Sequence, residues 1–303
     1  MKKVLFATTA LIAVGGMAAA DGHAGVTLSG SSRFGVEYTE DRTSASGADS
    51  ELEIHNRFTL NIDASVDTDS GIEFFSRVRI RGGNEAGEGD TTGASGVSAP
   101  RVGMRTGGFT LAVGNILGAL ESTPGLYSGS VGLTGLSWGN LPINNTSAGT
   151  FYWDSFSSAG GGANGVEVIY SGDGFGAHLS HSEVSDETSV NLSYSFGDWT
   201  VALGASDATG EDTVLLTVGG SLGAVDLGLK LANVEDDDTA TLWGSFDVGA
   251  GTTITAYASS GDGGVDDSYG LGFTYSLGGA VLAGGIADVR GTTTADLGVR
   301  FSF

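Results

Sequence analysis

The chain of 303 residues has no cysteine, only three prolines, and no apolar run long enough to cross a bilayer as a helix. Each absence excludes something. Without cysteine an exported chain has no disulfide staple, so its stability rests on backbone pairing and burial. Three prolines set against 53 glycines exclude a proline-rich low-complexity chain and suit strands joined by tight turns, because proline removes a ladder donor. Positive charge is scarce too: 13 Lys and Arg face 36 Asp and Glu, a formal charge of −23. So acidic a chain repels nucleic acid, and no basic stretch offsets it. A spanning helix needs ~20 apolar residues. If this protein enters a membrane, it does so as strands.

What is present begins with Lys2 and Lys3, an apolar core from Val4 to Val14, and the small residues Ala18-Ala19-Ala20. That order reads as a secretory signal peptide over residues 1–20, cut before Asp21. The alternative, a spanning helix, fails because the apolar run is short and no stop-transfer pattern follows. Residues 21–303 then carry the fold, with Lys230 their only lysine.

From Val26 onward the apolar residues alternate with polar ones at a period of two, which is the signature of half-buried strands. Val26, Leu28, Phe34, Val36 and Tyr38 oppose Arg33 and Glu37. Ile54, Phe58, Leu60 and Ile62 oppose Arg57, Asn61 and Asp63, and Phe74, Val78 and Ile80 oppose Glu73, Arg77, Arg79 and Arg81. Arg101 to Thr106 and Phe109 to Ile116 pair across Gly107-Gly108. A stretch of weak periodicity, 117–163, interrupts the pattern, which then resumes to Phe303. Sixteen strands are predicted in all. Tight turns such as Gly197-Asp198, Gly223-Ala224 and Gly278-Gly279 alternate with longer polar connections.

Phase decides what this sheet faces. In the clear strands the ionisable residues share one side, including Asp226 with Lys230 and Asp296 with Arg300. An Arg or Lys on a lipid face at mid-bilayer costs ~2–4 kcal/mol, so the segregation fits apolar side chains outward and charges inward. A soluble sandwich alternates equally well with its apolar face inward. Yet sixteen strands in one meander would leave two open edges on a very large sheet. A closed barrel removes both edges, and its even strand count returns the C-terminus to the side where it began. Aromatics beside the tight turns or at the terminus (Phe109, Phe196, Trp199, Phe246, Tyr275, Phe301, Phe303) fit an interfacial girdle. A β-solenoid needs a fixed repeat, which these segments lack. The fold expected is all-β: a 16-stranded antiparallel up-and-down transmembrane β-barrel.

The C-terminal hairpin, with GLGFTYSLGG and TADLGVRFSF, and the stretch GNILGALE from Gly114 to Glu121 resemble the trimeric general porins of purple photosynthetic and related alphaproteobacteria. The resemblance implies a homotrimer in the outer membrane of a Gram-negative cell. It implies that 117–163 is the third external loop, folded into the lumen as a constriction. It implies that arginines facing the lumen (Arg33, Arg57, Arg77, Arg79 and Arg101) oppose loop carboxylates to set up a transverse field. Some of these arginines instead make plain wall pairs with Glu53, Glu73 or Asp63 on the other reading. This loop departs from the family pattern, since Glu121 and Asp154 are its only carboxylates. A milder cation preference, or anion selectivity, is expected. The loop's Leu117, Leu120, Leu126, Leu133, Leu136 and Trp138 are expected to pack on the inner wall.

Other motifs match by string and fail by context. Gly219 to Gly223 fits a nucleophile elbow but turns from strand to strand, and Gly160 to Gly165 fits a dinucleotide fingerprint but precedes a strand. His178 and His181 fall on opposite faces of one strand. Neither catalysis nor an obligate cofactor is expected. Acidic clusters (Glu85, Glu88 and Asp90; Asp186 and Glu187; Glu235 to Asp238; Asp262, Asp266 and Asp267) read as solvated rim loops, or as sites bridging Ca2+ to lipopolysaccharide phosphates. The function expected is passive diffusion of ions and small hydrophilic solutes, against a solute-specific channel or a plugged structural or adhesive barrel.

Overall fold

The computed structural model describes residues 24–43, 50–84, 92–147, 156–158, 160–162, 164–208 and 211–303. The signal segment 1–20, Asp154, and Glu85, Glu88 and Asp90 lie outside the described residues. Seventeen strand segments form one sheet. They are β1 (Ala24–Thr39), β2 (Leu52–Asp67), β3 (Glu73–Gly83), β4 (Gly93–Val97), β5 (Arg101–Thr106), β6 (Phe109–Gly114), β7 (Gly165–Gly172), β8 (Phe175–Ser182) and β9 (Glu187–Phe196). Then follow β10 (Trp199–Ala208), β11 (Glu211–Leu222), β12 (Val225–Val234), β13 (Asp237–Gly249), β14 (Thr252–Ser259), β15 (Ser268–Ser276), β16 (Val281–Val289) and β17 (Thr292–Ser302).

Every neighbour is antiparallel, and β17 returns to pair with β1 from Ser31↔Ser302 to Thr39↔Thr294. Gly30 and Phe303 complete the seam with reciprocal main-chain bonds of 2.7 and 3.0 Å. Closure joins the last strand to the first and removes the two open edges a flat sheet would have, the condition for strands in hydrocarbon. The barrel has sixteen staves, because β4 and β5 share one: β4 pairs with the upper part of β3 (Ile80↔Val97 to Gly83↔Gly93) and β5 with the lower part (Arg77↔Arg101 to Glu73↔Arg105). Pro100, which has no N–H to give, stands in the break. Sequence patterning finds β5 and misses β4, whose Gly-Ala-Ser-Gly-Val has no alternation to read.

The ends also differ from expectation. The charged stretch Glu235 to Asp238 is ladder as well as loop: β12 runs to Val234 and β13 starts at Asp237, leaving a two-residue connection. Between β16 and β17 only Arg290 and Gly291 intervene, at φ 53 and 80, the left-handed pair of a tight hairpin. Polar residues keep pairing there because strands rising past the membrane meet water.

The faces segregate as phase demands. Ile54, Phe34, Phe175, Leu179, Leu192 and Leu203 are 77, 57, 57, 51, 55 and 49% exposed and all point outward. Beside the tight turns, Phe109 stacks on Tyr170 and Phe175 on Tyr194, with ring centroids 4.7 and 4.5 Å apart. These pairs make the girdle at the turn end. Phe246, Tyr275 and Phe301 are exposed at the same end.

Candidate functional site

A sixteen-stave barrel is too wide for its own side chains to fill. The segment after β6 fills part of it. From Ile116 the chain runs along the inner wall, passing each strand in turn. Ala119 N donates to Ser180 Oγ on β8 (2.8 Å), and Ala119 O accepts from Asn191 Nδ2 on β9 (2.6 Å). Pro124 O accepts Thr217 Oγ1 on β11 at 2.5 Å. At Leu133 and Thr134 the tip reaches β17 and β1. Gly135 and then Leu136, Ser137 and Trp138 adopt positive φ and turn the chain round. The return limb passes Thr239 Oγ1 on β13, which donates to Pro142 O at 2.9 Å, and Ser259 Oγ on β14, 3.0 Å from Asn145 Nδ2.

Apolar packing accompanies this path. Leu120, Leu126, Leu141 and Ile143 bury against Leu215, Ala232 and Val234 of the inner wall. Val131 and Leu136 bury against Tyr257, Ala287 and Val289. Of the six loop residues expected on the wall, Leu120, Leu126, Leu133 and Leu136 are 5, 0, 2 and 0% exposed. Trp138 is half-buried, its ring edge-on to Tyr127 at 5.5 Å; Leu117 is half-buried. Close approach needs glycine at the tip: a Cβ on Gly298 would lie 2.6 Å from Leu133 Cδ2, and one on Gly272 2.9 Å from Gly132 N.

Two side chains grip the loop backbone. Lys230, fully buried on β12, donates from Nζ to Leu126 O, Ser128 O and Asn140 O at 2.7, 2.6 and 2.8 Å. Asp296 on β17 accepts from Leu133 N (2.8 Å), Thr134 N (2.7 Å) and Thr134 Oγ1 (2.8 Å).

The loop thus runs over the wall from β7 to β17, touches β1 at its tip and meets β3 where Phe156 and Ser158 reach Arg79, and the rest of the β1 to β3 face is left to the lumen. The arginines stand there. Register sets Arg300, Arg33 and Arg57 side by side across β17, β1 and β2. Arg77, Arg79 and Arg81 follow on β3, opposite Asp63, Asn61 and Thr59. Arg33 Nε donates to His55 Nε2 (2.7 Å), whose Nδ1 faces Glu37 at 3.1 Å. Arg77 makes a two-pronged pair with Asp63 at 2.6 and 3.2 Å. Arg79 is oriented by neutral groups, Asn61 Oδ1 at 2.8 Å and Ser158 Oγ at 3.0 Å, with the Phe156 ring beneath it. Arg77 and Arg81 flank Arg79 on the same face of β3, and Arg57 stands on the neighbouring strand.

Two of the residues anticipated from sequence sit elsewhere. Arg101 is 5% exposed and bonded to Glu167 at 2.5 Å; His178 Nε2 and Leu117 N meet the other oxygen of Glu167 at 2.9 and 3.1 Å. That buried cluster fixes the start of the loop. Glu121 is also 5% exposed, close enough to Tyr127 that its charge joins burial in raising that phenol above its ordinary range. Sequence reading set Arg81 and Arg300 on the inward face but left them out of the arginine ladder. It also missed the grip of Lys230 and Asp296. A usable signal was there on β16, whose inner face is Val281, Ala283, Gly285, Ala287 and Val289; a strand between lipid and water has no reason to be apolar on both faces.

Among the described residues no group of three or more His, Asp or Glu is placed to hold a metal ion. The rim carboxylates that are described accept hydrogen bonds from their own and neighbouring segments. Asp237 takes Ser147 N, Asp262 takes Asp238 N, and Asp267 takes Gly261 N and Tyr269 Oη.

Comparison with known proteins agrees with this geometry. The family model described as Gram-negative porin matches residues 7–302. A porin of Fuscovulum blasticum is 30% identical over 301 residues, covering 92% of this chain and 100% of its own length. A porin of Rhodobacter capsulatus is 32% identical over 323 residues with the same coverage. The solved structure of a mutant Rh. blastica porin superimposes with a TM-score of 0.80 at 27% identity, over 92% of this chain and all of the other.

Proposed function

The chain belongs to the Gram-negative porins and is a general outer-membrane porin with no enzymatic role; from that premise we propose how its lumen sorts solutes. The eyelet lies between the arginines of β17 to β3 and the loop 117–163, and it passes ions and small hydrophilic solutes by diffusion. Arg33, Arg57, Arg77 and Arg79 form its basic wall, joined by Arg81 and Arg300. Arg101 acts through the loop it helps to fix. The observation that carries this reading is the one-sidedness of the lining: the loop covers β7 to β17, and Glu121, its carboxylate among the described residues, is buried.

A wall of fixed cations without a facing carboxylate ladder favours anions at the narrowest point. The acidic rim outside works the other way at low salt and is screened within ~10 Å at 0.1 M. Weak anion preference in concentrated KCl is the result. Single-channel recording across a planar bilayer with a KCl gradient tests it. The proposal requires stepwise, ohmic conductance and a reversal potential of the anion-preferring sign. A strongly cation-selective reversal potential sinks it, and saturable solute flux points to a specific channel instead.

The protein is further proposed to act as a homotrimer seated among outer-membrane lipid and lipopolysaccharide, after export and removal of residues 1–20. The outer faces of β1 and β2 support a partner copy there. They carry Ser32 and Asn56 among their apolar residues, with Thr92 Oγ1 donating to Asn56 Oδ1 at 3.0 Å. Below them is a hollow of about 640 Å3 lined by Ala24, Val26, Ala64, Val66, Phe74 and Val102. Amide and hydroxyl groups are poor neighbours for lipid tails and ordinary ones for protein. Sedimentation in a density-matched detergent separates a trimer from a monomer.

A further inference from the structure

Neutral side chains bind the loop to the wall one contact at a time, as Ser180, Asn191, Thr217 and Thr239 do. Two charged side chains, Lys230 and Asp296, each gather several loop groups, and their positions are not arbitrary. Lys230 meets the outgoing limb at Leu126 and Ser128 and the returning limb at Asn140. One ammonium therefore ties both limbs to each other and to β12. Asp296 meets Leu133 and Thr134, at the far tip, just before the left-handed turn through Leu136 to Trp138. Among the described residues neither takes part in an ion pair with another side chain. Their countercharges are backbone dipoles: three carbonyls converge on the cation, and two amides with a hydroxyl converge on the anion.

We infer that Lys230 and Asp296 are positioning residues that clamp the constriction loop and so fix the bore. The inference rests on the channel reading above and deepens it. A buried charge serves bulk stability poorly, because a well-packed apolar residue often does as well. What a charge with three strong, directional bonds does is hold its partners in one arrangement. Here the partners are the two limbs and the tip of the segment that narrows the lumen. With both limbs fixed, thermal motion of the loop leaves the open cross-section steady. With the ammonium removed, three carbonyls turn from the wall toward lumen water, and the limbs part.

The test uses the full-length porin in planar bilayers, with Lys230→Met and Asp296→Ala. Assembly is read separately by heat-modifiable migration on gels. Both variants are expected to assemble as wild type does, to show a severalfold rise in open-channel current noise, and to close at lower voltage. Since the chain has no cysteine, a tether can be added cleanly. A Cβ on Gly204 of β10 would lie 3.6 Å from Thr123 Cβ of the loop, within the ~3.5–4.5 Å span of disulfides. In the Lys230→Met background, Thr123→Cys with Gly204→Cys is expected to be quiet when oxidised and noisy when reduced. Noise and closing voltage equal to wild type in both single variants would overturn the clamp. So would noise that persists in the oxidised tether, or a Lys230→Met chain that fails to assemble even when tethered. A wild-type channel that does not conduct at all would overturn the channel reading instead.

Discussion

The side of the wall on which a side chain projects decides what a charge costs. Leu203 of β10 is 49% exposed on the outer face, where the surroundings are hydrocarbon. Leu203→Arg is expected to destabilise the barrel by ~2–4 kcal/mol if the site lies near mid-bilayer, measured by urea titration of refolding into lipid vesicles. Ser245→Arg, whose native hydroxyl bonds Thr255 Oγ1 at 2.8 Å on the lumen side, is expected to leave that titration nearly unchanged. Arg79 is the sharper probe of function. It is held by Asn61 and Ser158 rather than by a carboxylate, so Arg79→Gln removes a charge without orphaning a partner charge. The reversal potential in a KCl gradient should move toward cation preference while barrel stability stays level. At this scale the sequence was legible wherever a residue's place on the wall follows from its phase, as for Arg33, Arg57, Arg77 and Arg79. It was not legible for Arg101 and Glu121, whose burial depends on where a loop far along the chain comes to rest.

Elements divide in the same way. Strands with one face to lipid and one to water declare themselves by alternation, as β1, β2 and β17 do. The broken stave β4–β5, the two-residue turn at Glu235-Asp236 and the doubly apolar strand β16 do not, because each answers to something other than that pair of solvents. The loop tip is where an element's position is most easily disturbed. In Gly298→Val the new Cβ would meet Phe34 O at 2.2 Å and Leu133 Cδ2 at 2.6 Å. Overpacking of that kind displaces the softer partner, so the tip should shift into the lumen and lower single-channel conductance. At the rim, hydrogen bonds from Asp238 N and Gly263 N hold Asp262 below its ordinary range. Bonds from Gly261 N and Tyr269 Oη do the same for Asp267. A depressed carboxyl stabilises fully above its unfolded pKa, ~4, and that stabilisation is lost as pH falls through the lower folded value. Amide protection factors at Asp238, Gly261 and Gly263 should therefore hold from neutral pH to about 4 and fall below it. Both carboxyls are fully exposed, so the loss is local and the barrel keeps its ladder.

For the molecule as a whole, the fold is one closed ladder with a second structure inside it. Closure depends on β17 meeting β1, where the Phe303 ring lies over Gly30 at a distance a side chain there would not allow and 5.9 Å from Phe58. The inner structure depends on the wall presenting apolar side chains, glycines and hydrogen-bonding groups, Lys230 and Asp296 among them, where the loop passes, and an arginine ladder beside it. Both depend on which face meets water. Because the chain lacks cysteine, single thiols report that face directly. The measurement is the current through one channel during addition of a charged, membrane-impermeant methanethiosulfonate, with cysteine placed at Arg57, Leu203 or Leu215. The account predicts a discrete fall in conductance at position 57, no reaction at 203 in the lipid, and none at 215 beneath the loop. Reaction at 203 with position 57 silent would contradict it.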